Sequence, residues 1–283
     1  ARPARAAAAA PQVRAAGDHV VLATGRSAFS AMPIARHLGM SHGPAVVSNG
    51  AVRLRIDPAE ASGYLVEEMT TFDPAAALEV LRTELPGAAF AVEDHGRGFL
   101  ITRPFPHGEL DGEQTVVPFE ELASRPATRV IVRSPDHTPA DFHELVARIG
   151  LSEVEYAVGW VGWLDLNPQG VSKGTALEAV RLSLGVAASD TVAIGDGRND
   201  LDMLRWAARG VAMGNADEVT QAAADEVTDH VNDDGAVAEV PAEEGAHHLE
   251  RLGVADNPHR RIAVGQQADR CGMVGLHMRD DEV

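Results

Sequence analysis

The sequence predicts an α/β protein whose core is a doubly wound parallel sheet of the Rossmann-like kind, with an α+β domain inserted into it. Three observations predict this fold class. Helix and strand patterns alternate over residues 11–50, shorter mixed elements follow, and the alternation returns over residues 172–224. Such alternation is typical of parallel sheets covered by helices on both faces. The 283 residues suffice for one large or two medium domains with a substantial core.

The first alternating segment begins with a short helix at residues 11–16, which Gly17 closes. A strand follows at residues 19–23, a helix at 27–38 and a second strand at 45–47. Each strand is a short apolar run that ends at polar and glycine residues. This pattern indicates buried strands of a parallel sheet.

The segment from residue 53 to residue 164 has a different pattern. We expect helices and strands in mixed order, at residues 75–85, 88–92, 98–102, 129–133 and 140–149. This order indicates an α+β domain and not a continuation of the parallel sheet. We therefore predict a discontinuous core made of residues 1–52 and 165–240, with residues 53–164 as the inserted domain.

The second core segment begins with a strong helix pattern at residues 173–184, for which Ser172 is the expected N-cap. It continues with a buried strand at residues 191–194, an amphipathic helix, a strand at 210–213 and a helix near 216–224. Residues 241–283 lack a core-facing pattern, and we predict a flexible tail there. Histidines in this stretch also allow a metal-binding tail, which is the less favoured alternative.

Composition narrows the classes of function. Lysine and arginine number 24 and aspartate and glutamate 42, so the formal charge is −18. Such an acidic chain is a poor candidate for binding nucleic acid, which requires basic surfaces. The single cysteine excludes an internal disulfide and is consistent with a cytoplasmic protein. No apolar run approaches the ~18 residues of a membrane span, so we expect no membrane partner.

Polar residues stand at the ends of core strands or in the loops beside them: Thr24, Asn49, Lys173 and Asp196. Because the carboxyl ends of parallel strands meet at one edge of a sheet, we expect these side chains to share one crevice. The Thr24 hydroxyl and the N–H groups around Gly25 suit a phosphate oxygen. Asn49 offers an amide donor, and Lys173 supplies a cation that neutralises phosphate.

The loop after residues 191–194 carries two carboxylates and an amide, from Asp196, Asn199 and Asp200. Oxygen ligands of this kind suit a hard cation such as Mg²⁺. The structural alternative is a capped helix that follows a turn.

The phosphate-binding candidates also have structural alternatives. Thr24-Gly25 and Asn49-Gly50 are ordinary turn sequences, and Lys173 by itself would be interpreted as a surface lysine. Their combination at successive core strands favours a phosphate and metal site.

Four short motifs resemble successive motifs of the haloacid dehalogenase (HAD) superfamily. They are Ala-Thr-Gly-Arg at residues 23–26, Ser-Asn-Gly-Ala at 48–51, Ser-Lys-Gly at 172–174 and Gly-Asp-Gly-Arg-Asn-Asp at 195–200. Their spacing is similar to that of the Cof-type phosphatase branch, which inserts a large α+β cap between the second and third motifs. The resemblance covers about residues 11–240, and the combination of motifs is specific.

This resemblance implies a Mg²⁺-dependent phosphatase of small phosphorylated metabolites, such as sugar phosphates, that forms an aspartyl-phosphate. It implies that Thr24 binds the transferred phosphoryl group, that Lys173 stabilises it, and that the cap selects the substrate. The implied Mg²⁺ ligands are Asp196, Asn199 and Asp200. The implied phosphate-binding residues are Thr24, Gly25, Arg26, Asn49, Lys173 and Asn199.

The chain departs from the family pattern at the first motif, an Asp-x-Asp that carries the nucleophile and the general acid/base. Residues 1–10 contain no aspartate, and nothing before Pro11 matches this motif. An aspartyl-phosphate requires a carboxylate nucleophile. We expect either an N-terminally truncated chain, which the start at Ala1 favours, or a non-catalytic relative. The strand that carries the motif would pair centrally in the sheet.

Two further classes of function are compared with the phosphatase. A binding or regulatory module would hold a phosphorylated ligand without turnover. A dinucleotide-binding domain is disfavoured because no G-x-G-x-x-G follows a strand. For the 283 residues we expect weak binding of Mg²⁺ or phosphate through Asp196, Thr24 and Lys173, with negligible turnover.

Overall fold

The computed structural model describes residues 10–149, 154–159, 162–230 and, by their backbone, 261–266. Within these ranges, helices cover two separate sheets. The helices are α1 (residues 10–15), α2 (Ala28–His37), α3 (Ala75–Glu84), α4 (Phe119–Ala123), α5 (Pro139–Ile149), α6 (Lys173–Ser183), α7 (Leu201–Trp206) and α8 (Glu218–Ala222).

The strands divide between an eight-stranded core sheet and a six-stranded cap sheet. The core sheet contains β1 (His19–Thr24), β2 (Gly43–Val47), β3 (Val52–Ile56), β4 (Tyr64–Met69), β11 (Thr191–Gly195), β12 (Arg209–Ala212), β13 (Glu226–Val227) and β14 (Arg261–Gln266). The cap sheet contains β5 (Ala89–Asp94), β6 (Gly98–Ile101), β7 (Glu113–Val116), β8 (Val130–Arg133), β9 (Val154–Val158) and β10 (Trp163–Pro168).

The core sheet has the strand order β13-β12-β11-β14-β1-β2-β3-β4, and the six strands from β13 to β2 are parallel. Alternate residues of β1 pack on opposite faces of this sheet. Val20 and Leu22 join a buried cluster with α2, whereas Val21 and Ala23 join a second cluster with α6 and α7. Helices therefore cover both faces, which confirms the predicted doubly wound α/β core.

The centre of the core sheet is formed by β14, which pairs in parallel with β1 on one side and β11 on the other. The prediction of a flexible tail over residues 241–283 is therefore wrong for Arg261–Gln266, while its other residues lie outside the described ranges. The physical reason is that β1 and β11 have N–H and C=O groups that need partners in the interior of a sheet. The position that we expected an Asp-x-Asp strand to take is filled by this segment.

The predicted start of the inserted domain at residue 53 also needs correction. Strands β3 and β4 follow β2 as an antiparallel extension of the core sheet, and Val52 pairs with Val47. Val52, Leu54 and Ile56 are buried in the same cluster as β2, so residues 53–69, which we assigned to the inserted domain, belong to the core. The chain leaves the core sheet after Met69.

The cap sheet has the order β7-β6-β5-β8-β10-β9 and is mostly antiparallel. Helices α3, α4 and α5 bury Leu78, Leu81, Leu122 and Phe142 against it. Because β10 belongs to this sheet, the predicted boundary at residue 164 moves to the end of β10 at Pro168. The prediction of an α+β insertion is otherwise consistent with this sheet and its helices.

Sequence periodicity located most helices well. The helices expected at residues 27–38, 75–85, 140–149 and 173–184 are observed as α2, α3, α5 and α6, each within one residue at either end. Among the described residues, no helix has the length and apolar character needed to cross a membrane.

Candidate active site

The edge of the core sheet where β1, β2 and β11 end is called the carboxyl edge below. Thr24 ends β1 there with a fully buried side chain, and its Oγ1 accepts a hydrogen bond from the backbone N–H of Arg26 at 3.1 Å. A methyl group added at Gly25 would lie 2.6 Å from Asn49 Oδ1 and 3.1 Å from Asn199 Nδ2. The amides of Asn49 and Asn199 therefore pack directly against the backbone at Gly25. Residue 25 has to be glycine because any side chain there would collide with these amides.

A left-handed turn, Ser48–Gly50, follows β2 at the same edge. Ser48 has φ 51° and Asn49 has φ 56°, values that non-glycine residues seldom adopt. Gly50 has φ 106°, and a methyl group on it would lie 2.3 Å from the carbonyl oxygen of Ser172. The turn thus packs tightly against the start of α6, where Lys173 lies.

Lys173 begins α6 behind a capping box formed by Ser172 and Thr175. Its Nζ lies 2.6 Å from Asp200 Oδ1, and both side chains are fully buried. The second carboxylate oxygen, Asp200 Oδ2, accepts hydrogen bonds from the N–H groups of Asp196 at 3.0 Å and Gly197 at 2.9 Å. This carboxylate links the lysine of one motif to the loop of another.

The carboxylate of Asp200 is therefore occupied by an ammonium group and two N–H groups of this chain. These contacts do not support the expectation that Asp200 is a direct Mg²⁺ ligand, because a buried carboxylate neutralised by lysine is a poor competitor for a second cation. They support a role in orienting Lys173 and the loop.

Asp196 and Asn199 fit a magnesium ion better. Asp196 Oδ2 accepts a hydrogen bond from Asn215 Nδ2 at 2.9 Å, and Asn199 Nδ2 donates to Asn49 Oδ1 at 2.9 Å. Asn199 Oδ1 is buried and has no hydrogen-bond partner, so an oxygen ligand lies unused in this loop. In proteins Mg²⁺ takes one or two carboxylates together with waters and substrate phosphate.

A larger metal cluster is absent from the part of the chain that the structure describes. No group of three histidine, cysteine, aspartate or glutamate side chains there is placed to hold a metal. The donor set at the carboxyl edge is consequently small, with one carboxylate and one amide oxygen, which suits Mg²⁺ better than a zinc site.

Two contacts join the loops of the carboxyl edge to the cap. Arg26 Nη1 lies 2.7 Å from Asp111 Oδ2, and Arg198 Nη1 lies 3.3 Å from His143 Nε2. Arg26 was expected to bind phosphate, but its guanidinium is directed to the carboxylate of the cap. We interpret Arg26 as a contact between core and cap.

Sequence reasoning missed three polar cap residues that contact the Ser48–Gly50 turn or its neighbours. Ser48 Oγ donates to Glu93 Oε1 at 2.9 Å, and Asn49 Nδ2 donates to Asn167 Oδ1 at 3.1 Å. Thr128 Oγ1 donates to Glu93 Oε2 at 3.3 Å. Their positions, in cap strands β5 and β10 and just before β8, carried no sequence signal, because only the folded chain brings cap and core together.

Asn215 was missed as well, although a signal existed. It follows β12 just as Asn49 follows β2, so the argument from strand ends could have included it. Its amide now fixes one oxygen of Asp196.

A doubly wound core, an inserted cap and polar residues gathered at the carboxyl edge describe a capped hydrolase of the α/β class. A sequence profile of the haloacid dehalogenase-like hydrolases matches residues 3–240. The chain belongs to this family, as the four motifs predicted.

Three similar proteins are phosphatases. A phosphoglycolate phosphatase of Natronomonas pharaonis is 31% identical over 226 residues, which cover 79% of this chain and 83% of the relative. A phosphatase of the HAD superfamily from Bacteroides thetaiotaomicron has a TM-score of 0.67 and 26% identity, covering 88% of this chain and 87% of its own. A HAD subclass IIB sugar phosphatase has a TM-score of 0.68 at 22% identity, covering 89% and 92%, and shows the fold. The resemblance is to phosphoric monoester hydrolases.

Proposed function

We propose that this protein is a Mg²⁺-dependent phosphatase of small phosphorylated metabolites that acts through an aspartyl-phosphate. The observation that carries the proposal is the meeting of Thr24, Asn49, Lys173, Asp196 and Asn199, which come from separate motifs, at one carboxyl edge. A structural explanation for each motif alone does not account for their mutual contacts.

The proposed roles follow from the contacts. The Thr24 hydroxyl and the N–H groups of its loop would hold phosphate oxygens, while the carboxamide of Asn49 fixes that of Asn199. Asp196 and Asn199 would hold Mg²⁺, which supplies positive charge against the phosphoryl oxygens when bound. Lys173 places a second positive charge behind the same loop, oriented by Asp200.

The proposed substrate is a small phosphate ester such as a sugar phosphate or phosphoglycolate, the kinds that the names of similar proteins mention. The cap covers the edge through the Asp111 and His143 contacts, so its residues are the ones expected to select among esters. A cytoplasmic location remains part of the proposal.

The reaction needs a carboxylate that attacks phosphorus while the ester oxygen leaves with a proton. Water then attacks the aspartyl-phosphate and releases inorganic phosphate. Asp196 and Asp200, the two aspartates of the loop after β11, already have other roles. By the family resemblance, the nucleophile of the proposed reaction is an aspartate of an Asp-x-Asp motif on a strand before the first helix. The alternative is a relative that binds phosphate without turnover.

Phosphate release from p-nitrophenyl phosphate in Mg²⁺ tests the proposal. The assay takes the 283-residue chain and, beside it, a form extended at its N-terminus by a strand that ends in Asp-x-Asp and that would have to replace β14 between β1 and β11. We expect release from the extended form, loss of release in EDTA, and at least a ~10-fold loss in Thr24→Val, because a hydrogen bond to a charged group is removed. Asp202→Asn, in an exposed residue of α7, is the control.

The outcomes separate the two candidate functions. Release by the extended form supports the phosphatase. An extended form that folds and binds Mg²⁺ and phosphate but releases nothing supports the binding relative. Full activity of the 283-residue chain would require a different nucleophile and would contradict the proposed step.

A further inference from the structure

The Ser48–Asn49 turn is held in a conformation that its own sequence does not favour. Both residues have left-handed backbone angles in succession, φ 51° and 56°, and both side chains are buried. Non-glycine residues persist in this region only where surrounding contacts hold them. Within the core, the N–H of Ser48 donates to the carbonyl oxygen of Arg26 at 2.8 Å. The cap adds further contacts to both residues.

Asn167, in cap strand β10, holds the turn from two sides. Its Nδ2 donates to the carbonyl oxygen of Ser48 at 3.0 Å and to that of Thr128 at 3.2 Å. Its Oδ1 accepts from Asn49 Nδ2 at 3.1 Å. Both ends of this buried carboxamide are therefore used, and its orientation is fixed.

Glu93, at the end of cap strand β5, holds the same turn through the side chain of Ser48. Its Oε1 accepts from Ser48 Oγ at 2.9 Å and its Oε2 accepts from Thr128 Oγ1 at 3.3 Å. Glu93 is 6% exposed, so these hydrogen bonds lie in the interior. Glu93 and Asn167 both also form a hydrogen bond with Thr128, so their contacts with the turn belong to one network.

The orientation of the Asn167 carboxamide determines that of Asn49, which in turn determines that of Asn199 in the proposed metal site. Because Asn49 donates through Nδ2 to Asn167, its Oδ1 is left to accept from Asn199 Nδ2 at 2.9 Å. Asn199 Oδ1 then remains without a hydrogen-bond partner. If Asn49 were to turn its amide group over, two amide nitrogens would face each other and Asn199 would have to turn as well.

We propose that Asn167 and Glu93, two residues of the cap sheet, are positioning residues for the carboxyl edge. They hold the left-handed Ser48–Asn49 turn and thereby fix the orientation of the Asn199 carboxamide. The cap thus sets the geometry of the phosphate and metal site through a buried hydrogen-bond network, in addition to covering it. This inference rests on the proposed function for its consequences in ligand binding.

The test uses the 283-residue chain and two variants of different chemistry. Asn167→Leu removes both donors and the acceptor at similar volume without adding charge, and Glu93→Gln keeps the shape but disturbs the pair of accepted hydrogen bonds. The matched control is Thr102→Val, which removes a hydrogen bond to the N–H of Phe90 at the opposite end of β5. The control weakens the cap without touching the turn.

Calorimetric titration with MgCl₂ and with inorganic phosphate in MgCl₂ is the first measurement. We expect Asn167→Leu to weaken phosphate binding by about 10-fold or more and Glu93→Gln to weaken it several-fold, because outer partners of a metal site typically contribute 10–100-fold. The loss in Glu93→Gln is diagnostic, since removing a negative charge alone would strengthen phosphate binding. Thr102→Val should bind like the wild type. Equal affinities in all four proteins would overturn the proposal.

The second measurement separates this inference from the proposed function. The side-chain amide signals of Asn49 and Asn199 in a ¹⁵N–¹H spectrum of the ligand-free chain should shift in Asn167→Leu and Glu93→Gln and stay in place in Thr102→Val. If the wild type binds neither Mg²⁺ nor phosphate, the proposed function fails and these shifts alone decide the inference. Unshifted Asn199 signals in a folded Glu93→Gln variant would overturn it, even if Asn167→Leu fails to fold.

Discussion

Lys173 and Asp200 form an ion pair with no exposed surface between two motifs of the site. Removing one partner of a buried pair leaves an uncompensated charge, which typically costs ~3–5 kcal/mol. We expect Lys173→Met to lower the free energy of unfolding by this amount in urea denaturation. Asp200→Asn added to Lys173→Met should recover part of the loss, because the unpaired carboxylate is then neutral.

An exposed ion pair provides the comparison. Arg125 lies 3.0 Å from Glu121 on a half-exposed cap surface, and surface pairs contribute ~0–1 kcal/mol. Arg125→Met should therefore change the unfolding free energy little. Equal losses of unfolding free energy in Arg125→Met and Lys173→Met would contradict the importance of the buried pair. So would a Lys173→Met/Asp200→Asn double variant whose loss equals the sum of the losses in the two single variants.

The carboxyl of Glu93 is predicted to make stability depend on pH. Burial raises the pKa of Glu93 above its ordinary value of 4.5, and the Ser48 hydrogen bond and the charge of Arg129 offset this only in part. Because the folded-state pKa is the higher one, the contribution to stability is fully present below the unfolded pKa and is lost as pH rises through the folded pKa. The free energy of unfolding of the wild type should therefore fall relative to Glu93→Gln as pH rises from about 4 towards neutrality.

Urea denaturation at a series of pH values measures this difference directly. His95 and Tyr64 also interact electrostatically with the Glu93 carboxyl, so Glu93→Gln is compared with the wild type at the same pH. A constant difference between wild type and Glu93→Gln across the series would show that the pKa of Glu93 is not raised.

At the scale of elements, two short connections join the cap sheet to the core sheet. One follows β4 at residues 70–74, and the other follows β10 at residues 169–172. Both include exposed residues, whereas β3 is largely buried in the core sheet. Limited proteolysis should therefore cut first at these two connections and not at residues 51–57, since cleavage needs local opening. Early cleavage within β3 or β11 would contradict the two-sheet division.

The elements that the sequence predicted well share one property. Helices α2, α3, α5 and α6 each carry an apolar face of helical period, which burial against a single sheet requires. The hairpin β3–β4 was assigned to the inserted domain because antiparallel strands with alternating burial look alike in a cap and at the edge of a core sheet. Only strand pairing distinguishes the two.

At the scale of the whole molecule, the sequence predicted which core residues meet but not what the cap adds. Strand ends predicted Thr24, Asn49 and Asp196 because all parallel strands of one sheet end at the same edge, whereas Lys173 reaches this edge from the start of α6, after cap strand β10. Glu93 and Asn167 could not be predicted, since the register of a separate sheet decides which cap residue reaches the turn. The hydrogen bonds that occupy the Asp200 carboxylate could not be predicted either, because sequence spacing does not show hydrogen-bond partners.

The centre of the core sheet carries the same lesson. Strand β14 comes from a stretch without a clear core-facing pattern, and it pairs with both β1 and β11. Strands β1 and β11 need a hydrogen-bonding partner between them only once the sheet is assembled. The local sequence pattern of residues 261–266 therefore does not predict that this segment pairs with them.

The most direct test of the central claim is calorimetric titration of inorganic phosphate with and without MgCl₂, in the wild type, Asp196→Asn and Asp202→Asn. Asp196 begins the loop after β11 at the carboxyl edge, whereas Asp202 is exposed in α7. We predict phosphate binding that Mg²⁺ strengthens, a loss of at least ~10-fold in Asp196→Asn, and wild-type affinity in Asp202→Asn. Phosphate binding of the same affinity with and without Mg²⁺ would contradict a phosphate and magnesium site at this edge. Equal losses of phosphate affinity in Asp196→Asn and Asp202→Asn would contradict it as well.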